Sequence, residues 1–263
     1  MPVSLQLSAV RLRVADLARA HAFYTQRLGF VSVGAPPNES RLAVGADAPP
    51  VLTLTPAPGA LTAPRDAAGL FHAALVLPDR PTLGAWLRFA ESRGVEFDGF
   101  SDHGVSEAIY LTDPEGNGLE FYADKPRAAW PFAANGDLAM VTRPLAVREV
   151  LAQAKLPNSA APLSGSRWGH LHLRVTELER SEEFYRAQLD LARTQGSYPG
   201  ARFLAADGYH HHVAINTWGA PRRMQPVGAL GLAGATFGRA GISTARDLVD
   251  PDGIRLRLEP LRG

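Results

Sequence analysis

Residues 12–28, LRVADLARAHAFYTQRL, return as residues 173–189, LRVTELERSEEFYRAQL, at a constant offset of 161. The copies share Leu12/Leu173, Val14/Val175, Leu17/Leu178, Phe23/Phe184, Tyr24/Tyr185 and Leu28/Leu189, among others. Such a repeat constrains the fold strongly, because each copy must form the same supersecondary unit and neighbouring units must bury one another's apolar faces. In each copy an alternating apolar strand runs into a helix whose apolar residues recur at helical spacing and can pack on a sheet. A second kind of unit starts at Phe71-His72-Ala73-Ala74-Leu75-Val76-Leu77, continues into a helix expected over about 81–93, and ends in the hairpin EAIYLTDPEGNGLEFY. The turn of that hairpin, Asp113 to Gly118, is rich in residues that tolerate turn geometry.

A worn copy of the hairpin, Asp250-Pro251-Asp252-Gly253, lies near the C-terminus. Four modules are expected, starting near 8, 70, 168 and 228, with too little chain after Phe237 for a full helix in the last. The fold class is therefore α+β, built from repeated strand–helix–strand modules with the fourth truncated. Two domains are expected, 1–126 and 167–263. The segment 127–166 reads as a linker, with Pro131, Pro144, Pro157 and Pro162 and a helical stretch around Val147–Ala154.

Composition narrows the function. With 263 residues and 46% hydrophobic content, the chain can bury a sizeable core. The 27 basic and 26 acidic residues nearly cancel and form no basic block, so neither nucleic acid nor an anionic membrane is expected as a partner. The absence of cysteine rules out disulfides, thiolate metal sites and a cysteine nucleophile. No window reaches a membrane span, and a cytoplasmic location is the default expectation.

Three residues far apart, His72, Glu120 and His170, fall on strand-like segments at corresponding points of the repeat. Two histidines and one carboxylate form a set that holds ferrous iron on one face and leaves positions open for substrate and dioxygen. Each has a plainer reading. A histidine at the start of an apolar strand is often a hydrogen-bonded core residue. Glu120, between Leu119 and Phe121, could form a salt bridge to an arginine, although an unpaired carboxylate there would cost several kcal/mol. His170 competes with His172, which points to the same side of its strand.

The string at 14–30, the hairpin DPEGNGLEF and the βαβββ repeat resemble the vicinal oxygen chelate superfamily of glyoxalases, antibiotic-resistance proteins and extradiol dioxygenases. The segments at 102–126, 168–175 and 208–218 resemble its catechol 2,3-dioxygenase branch. The resemblance implies two modules cupped around one metal. Ala9 is the counterpart of His170 and Arg257 that of Glu120, so only modules two and three together retain a full ligand set. It also implies Fe(II), with Mn(II) as the alternative, and a small aromatic diol and O₂ as reactants. His211, in the run His211-His212-Val213-Ala214, matches the catalytic histidine segment H-x-V-A, although His210 and His212 remain rivals. Tyr110, ten residues before Glu120, matches a tyrosine that bonds the substrate oxygen. His103 and His212 are expected to contact substrate. The product would be a ring-opened semialdehyde. A glyoxalase-like isomerase, a thiol transferase or a non-catalytic sequestering protein is the alternative. The shortened fourth module is a reason to expect a homo-oligomer.

Overall fold

The computed structural model describes residues 3–64, 66–155, 161–219 and 223–261. The first module runs β1 (Leu5–Val14), α1 (Leu17–Ala22), β2 (Val31–Val33), β3 (Ser40–Ala43) and β4 (Leu52–Pro56). The second runs β5 (Gly69–Leu77), α2 (Arg80–Ser92), β6 (Gly99–Asp102), β7 (Ser106–Thr112) and β8 (Gly118–Asp124). After β9 (Arg143–Pro144) and α3 (Val147–Ala152), the third runs β10 (Arg167–Arg174), α4 (Leu178–Leu189), β11 (Ala192–Gln195), β12 (Ala201–Ala205) and β13 (Val213–Asn216). The fourth contains β14 (Gly231–Arg239), β15 (Arg246–Val249) and β16 (Arg255–Pro260), with no helix between its first two strands.

Helix α2 shows how sequence sets these elements. Asp79 caps its start by accepting from the Thr82 N–H at 2.8 Å, with Pro81 in the first turn, where a missing N–H costs nothing. Leu83, Trp86, Leu87 and Ala90 recur at helical spacing and are buried. Trp86 stacks on Phe121 of β8 at 3.8 Å and 7° between planes, fixing the helix on one face of the sheet. An aromatic pair of this kind contributes about 0.5–1.5 kcal/mol beyond the area it buries.

The strands form two sheets whose composition crosses the chain. One has the order β15-β16-β14-β1-β4-β3-β2, joining modules one and four; the other has β11-β12-β13-β10-β5-β8-β7-β6-β9, joining modules two and three. The centre of the second is an antiparallel pair, β5 with β10, flanked by β8 parallel to β5 and β13 parallel to β10. A single apolar core spans both sheets. The Trp168 indole on β10 donates to the Val51 carbonyl at 2.7 Å and ties them together.

Within the expected linker, β9 pairs with β6 at the sheet edge and α3 packs on α2. That segment is thus part of the folded body where it is described; Pro157 lies outside the described residues.

Candidate metal centre

Strand alternation sorts the side chains of the second sheet. Ala73, Leu75 and Leu77 of β5, with Leu119 and Phe121 of β8, enter the shared core. The intervening positions face the other way. The registers Tyr110↔Glu120, Ala74↔Glu120 and His170↔Ala74 set Tyr110, Glu120, Ala74 and His170 abreast across four strands, with His72 and His172 abreast in the next row. Ala74 is the small residue between two long side chains, and above it Glu120 and His170 meet. Glu120 Oε2 lies 2.9 Å from His72 Nε2 and 3.2 Å from His170 Nε2. One ligand atom from each of the three lies within 4.8 Å of the others.

All three residues are buried, and among the described residues no arginine pairs with Glu120. Burial alone would raise the Glu120 carboxyl, but His170 and His72 hold it well below the usual carboxylate range. Burial pushes His170 down to about 4 despite the carboxylate beside it. An ionised carboxylate facing a neutral imidazole is the state in which these groups bind a cation. Two imidazole nitrogens and one carboxylate converging in a buried cluster fit a divalent first-row metal.

The equivalent row of the other sheet is chemically empty. There the registers Ala9↔Thr236 and Thr236↔Arg257 put Ala9 where His170 would be and Arg257 where Glu120 would be, and Arg257 pairs with Asp247 at 2.9 Å.

The cluster opens into a cavity of about 500 Å³ lined by Tyr110, His103, His172, His211 and aromatic walls that include Phe71 and Trp218. The Tyr110 hydroxyl is 2.6 Å from His103 Nε2, and His103 Nδ1 is 2.7 Å from the Val141 carbonyl. A carbonyl only accepts, so Nδ1 carries a hydrogen, and in the neutral ring Nε2 accepts from Tyr110. Burial and then Glu120 push the Tyr110 phenol well above its ordinary value, which keeps it a donor. His172 lines the cavity but its Nε2 accepts from the Asn216 amide at 2.9 Å.

The three consecutive histidines precede β13 and are not strand residues. His211 faces the cavity, its ring 4.0 Å from that of His170. His212 does not: its Nδ1 accepts from the Ala206 N–H at 3.2 Å, and it lines a separate hollow with Arg127 and Arg167. His210 is fully buried beside His211, not on the side of His212.

Sequence reading missed a polar network behind the cluster. His170 Nδ1 is 3.4 Å from the Tyr122 hydroxyl, which is 2.7 Å from that of Tyr209, which donates to Asp124 at 3.0 Å. Asp124 also accepts from His210 Nε2 at 2.9 Å, and His210 Nδ1 is 2.8 Å from His211 Nδ1. Gly169 makes this possible. It sits at the β-bulge between Trp168 and His170, where a Cβ would fall 1.8 Å from the Tyr122 oxygen. The local signal was alternation on β8, which sets Glu120, Tyr122 and Asp124 on one face.

Paired βαβββ modules around one histidine–carboxylate cluster define a class of protein. The chain belongs to the Glyoxalase/Bleomycin resistance protein/Dioxygenase superfamily, whose family model matches residues 6–121. It is 36% identical over 227 residues to a protein of Bacillus subtilis (strain 168) named catechol-2,3-dioxygenase, covering 84% of this chain and 78% of that one. Two solved structures share the fold. One, from Bacillus subtilis subsp. subtilis str. 168, has a TM-score of 0.66 at 12% identity, over 97% of this chain and 84% of that one. The other, glyoxalase I from Zea mays, has a TM-score of 0.57 at 18% identity, over 98% and 92%. Among the described residues no helix is long and apolar enough to cross a membrane.

Proposed function

We propose that the protein is an extradiol dioxygenase that uses Fe(II) and O₂ to cleave a catechol-type ring beside its two hydroxyls, giving a ring-opened semialdehyde. The observation that carries this reading is the single-carboxylate cluster of His72, Glu120 and His170 opening into the same cavity as Tyr110 and His211. The relative named catechol-2,3-dioxygenase supports it.

His72, Glu120 and His170 would hold the iron, with Mn(II) fitting the same donors. When bound, the metal supplies an electron path between diol and dioxygen and adjacent open positions for both. His211 takes a proton from a substrate hydroxyl and returns one to the opening ring, the work of a general base and acid. On substrate binding Tyr110 turns the hydrogen it gives His103 toward the substrate oxygen. Phe71 and Trp218 present apolar surface to the ring and exclude water.

A glyoxalase-like isomerisation is disfavoured by one position. With His170 equivalent to His72, the registers Ala74↔Glu120 and His172↔Ala214 make Ala214 the counterpart of Glu120. A second carboxylate is therefore missing from the place where symmetry would supply it.

The test is anaerobic loading with Fe(II), then oxygen uptake with catechol and its 3- and 4-substituted forms. One O₂ consumed per diol and a yellow conjugated semialdehyde are expected. A colourless diacid, or no uptake across the panel with turnover of a thiohemiacetal instead, overturns the reading.

A further inference from the structure

We infer that Asp124 is a positioning residue that turns the Nε2 lone pair of His211 toward the cavity and keeps an acceptor ready at His170 Nδ1 for when His170 Nε2 holds a cation. The consequence for turnover rests on the dioxygenase reading; the assignment of hydrogens does not.

The argument follows donors and acceptors outward from Asp124. A carboxylate only accepts, and among the described residues two side chains reach it: the Tyr209 hydroxyl at 3.0 Å from Oδ2 and His210 Nε2 at 2.9 Å from Oδ1. Tyr209 spends its only hydrogen on Asp124. Its oxygen is then the acceptor for the Tyr122 hydroxyl at 2.7 Å, so Tyr122 in turn spends its hydrogen on Tyr209. The Tyr122 oxygen is left to accept from His170 Nδ1 at 3.4 Å. A neutral His170 has one hydrogen for two acceptors, the Tyr122 oxygen at Nδ1 and the Glu120 carboxylate 3.2 Å from Nε2, so Glu120 takes it until a cation occupies Nε2; the hydrogen then rests on Nδ1, where the Tyr122 oxygen receives it.

The second branch is shorter. His210 Nε2 donates to Asp124, so a ring with one hydrogen has Nδ1 as an acceptor. Among the described residues the group facing it, at 2.8 Å, is His211 Nδ1, and that nitrogen carries the hydrogen. With Nδ1 so engaged, Nε2 is the ring nitrogen His211 presents to the cavity it lines. Both tyrosine hydrogens and both hydrogens of the His210–His211 branch point toward Asp124. A single carboxylate, its side chain 26% exposed, thus orders a buried network reaching two histidines on different elements.

Replacing Asp124 with Asn tests this, because an amide has one accepting and one donating end. If the amide donates to Tyr209, both tyrosine hydroxyls reverse and His170 Nδ1 loses its acceptor. If it donates to His210, that ring reverses and His211 is forced to carry its hydrogen on Nε2. The amide cannot satisfy both branches, so either His211 switches or the metal-bound form of His170 loses its support.

The measurement is long-range ¹H–¹⁵N correlation on full-length, ¹⁵N-histidine-labelled protein, freed of metal by chelation and then titrated with Zn(II), with signals assigned by single histidine replacements. In the unaltered protein His211 should carry hydrogen on Nδ1 throughout, and His170 should move its hydrogen from Nε2 to Nδ1 as the ion binds. In Asp124→Asn either His211 should carry hydrogen on Nε2 or Zn(II) affinity should drop about 10–100-fold. Tyr209→Phe should leave His211 as it was. Loss of turnover in iron-loaded Asp124→Asn should reach roughly 10²–10⁴-fold if His211 switches. An Nε2 hydrogen on His211 in the unaltered protein overturns the inference even if Asp124→Asn fails to fold. So does a folded Asp124→Asn in which the His211 tautomer and the Zn(II) affinity are both unchanged. Since the spectra need no turnover, expected tautomers without catechol cleavage would defeat the dioxygenase reading and leave the role of Asp124 standing.

Discussion

The Tyr24 hydroxyl donates to Asp113 Oδ2 at 2.8 Å, and Tyr185 makes the same bond to Asp250 at 2.8 Å. In both cases the tyrosine of an F-Y pair after a module's first strand anchors the D-P turn of the following module. This is the physical reason that the two most visible repeats occur in alternating modules: each is half of one buried contact.

Tyr24→Phe removes the donor and leaves a buried carboxyl short of one partner. Asp113 keeps three others, from the Glu115 and Asn117 N–H groups and the Asn117 amide. A loss of about 1–3 kcal/mol in unfolding free energy is expected, measured by urea denaturation of the metal-free protein. A variant as stable as the parent would mean the bond does not hold the modules together.

Asp250 makes a pH-dependent contribution. Burial pushes its carboxyl up to about 6, against hydrogen bonds from Ile254 and Tyr185 that favour the charged form. Its folded pKa exceeds the unfolded one, so folding takes up a proton between about pH 4 and 6 and this residue's contribution to stability falls as pH rises through that window. Asp250→Asn should gain on the parent by up to about 3 kcal/mol from pH 4 to pH 7. Unfolding free energies of both proteins across that range decide it; a difference that is flat or moves the other way counts against the assignment.

Glu120→Gln removes the only anionic donor of the cluster. Isothermal titration should find about one divalent metal per chain in the parent and at least a roughly tenfold weaker site in the variant. Binding of two ions per chain would contradict the empty row at Ala9 and Arg257.

His211→Phe should leave metal content intact and lower turnover by roughly 10²–10⁴-fold. His212→Phe, on the far side of the loop, should change turnover by less than about tenfold. Parallel steady-state measurements of the two variants check the division, and the reverse ranking would move the proton-handling role to His212.

Much of this was legible in the sequence, for identifiable reasons. Modules and ligand candidates stood out because His72, Glu120 and His170 occupy repeat positions, and strand alternation lets spacing stand in for geometry. The Asp124 network did not stand out. Its links join residues 85 to 87 apart, across strands whose pairing the sequence leaves open. The bulge at Gly169 shifts Trp168 into the core and gives no periodic sign. The His210–His212 run reads as strand by its neighbour Val213, yet backbone turning before β13 puts His210 and His212 on different sides.

The crossing of modules between sheets has a consequence during synthesis. His72 and Glu120 lie on neighbouring strands of one module, and His170, which completes the cluster, follows 50 residues after Glu120. Until it emerges, β5 lacks its central partner and the half-built cluster offers a cation only one imidazole and one carboxylate. The full ligand set, and the cavity it opens into, therefore exist only once both halves of the chain have been made and joined.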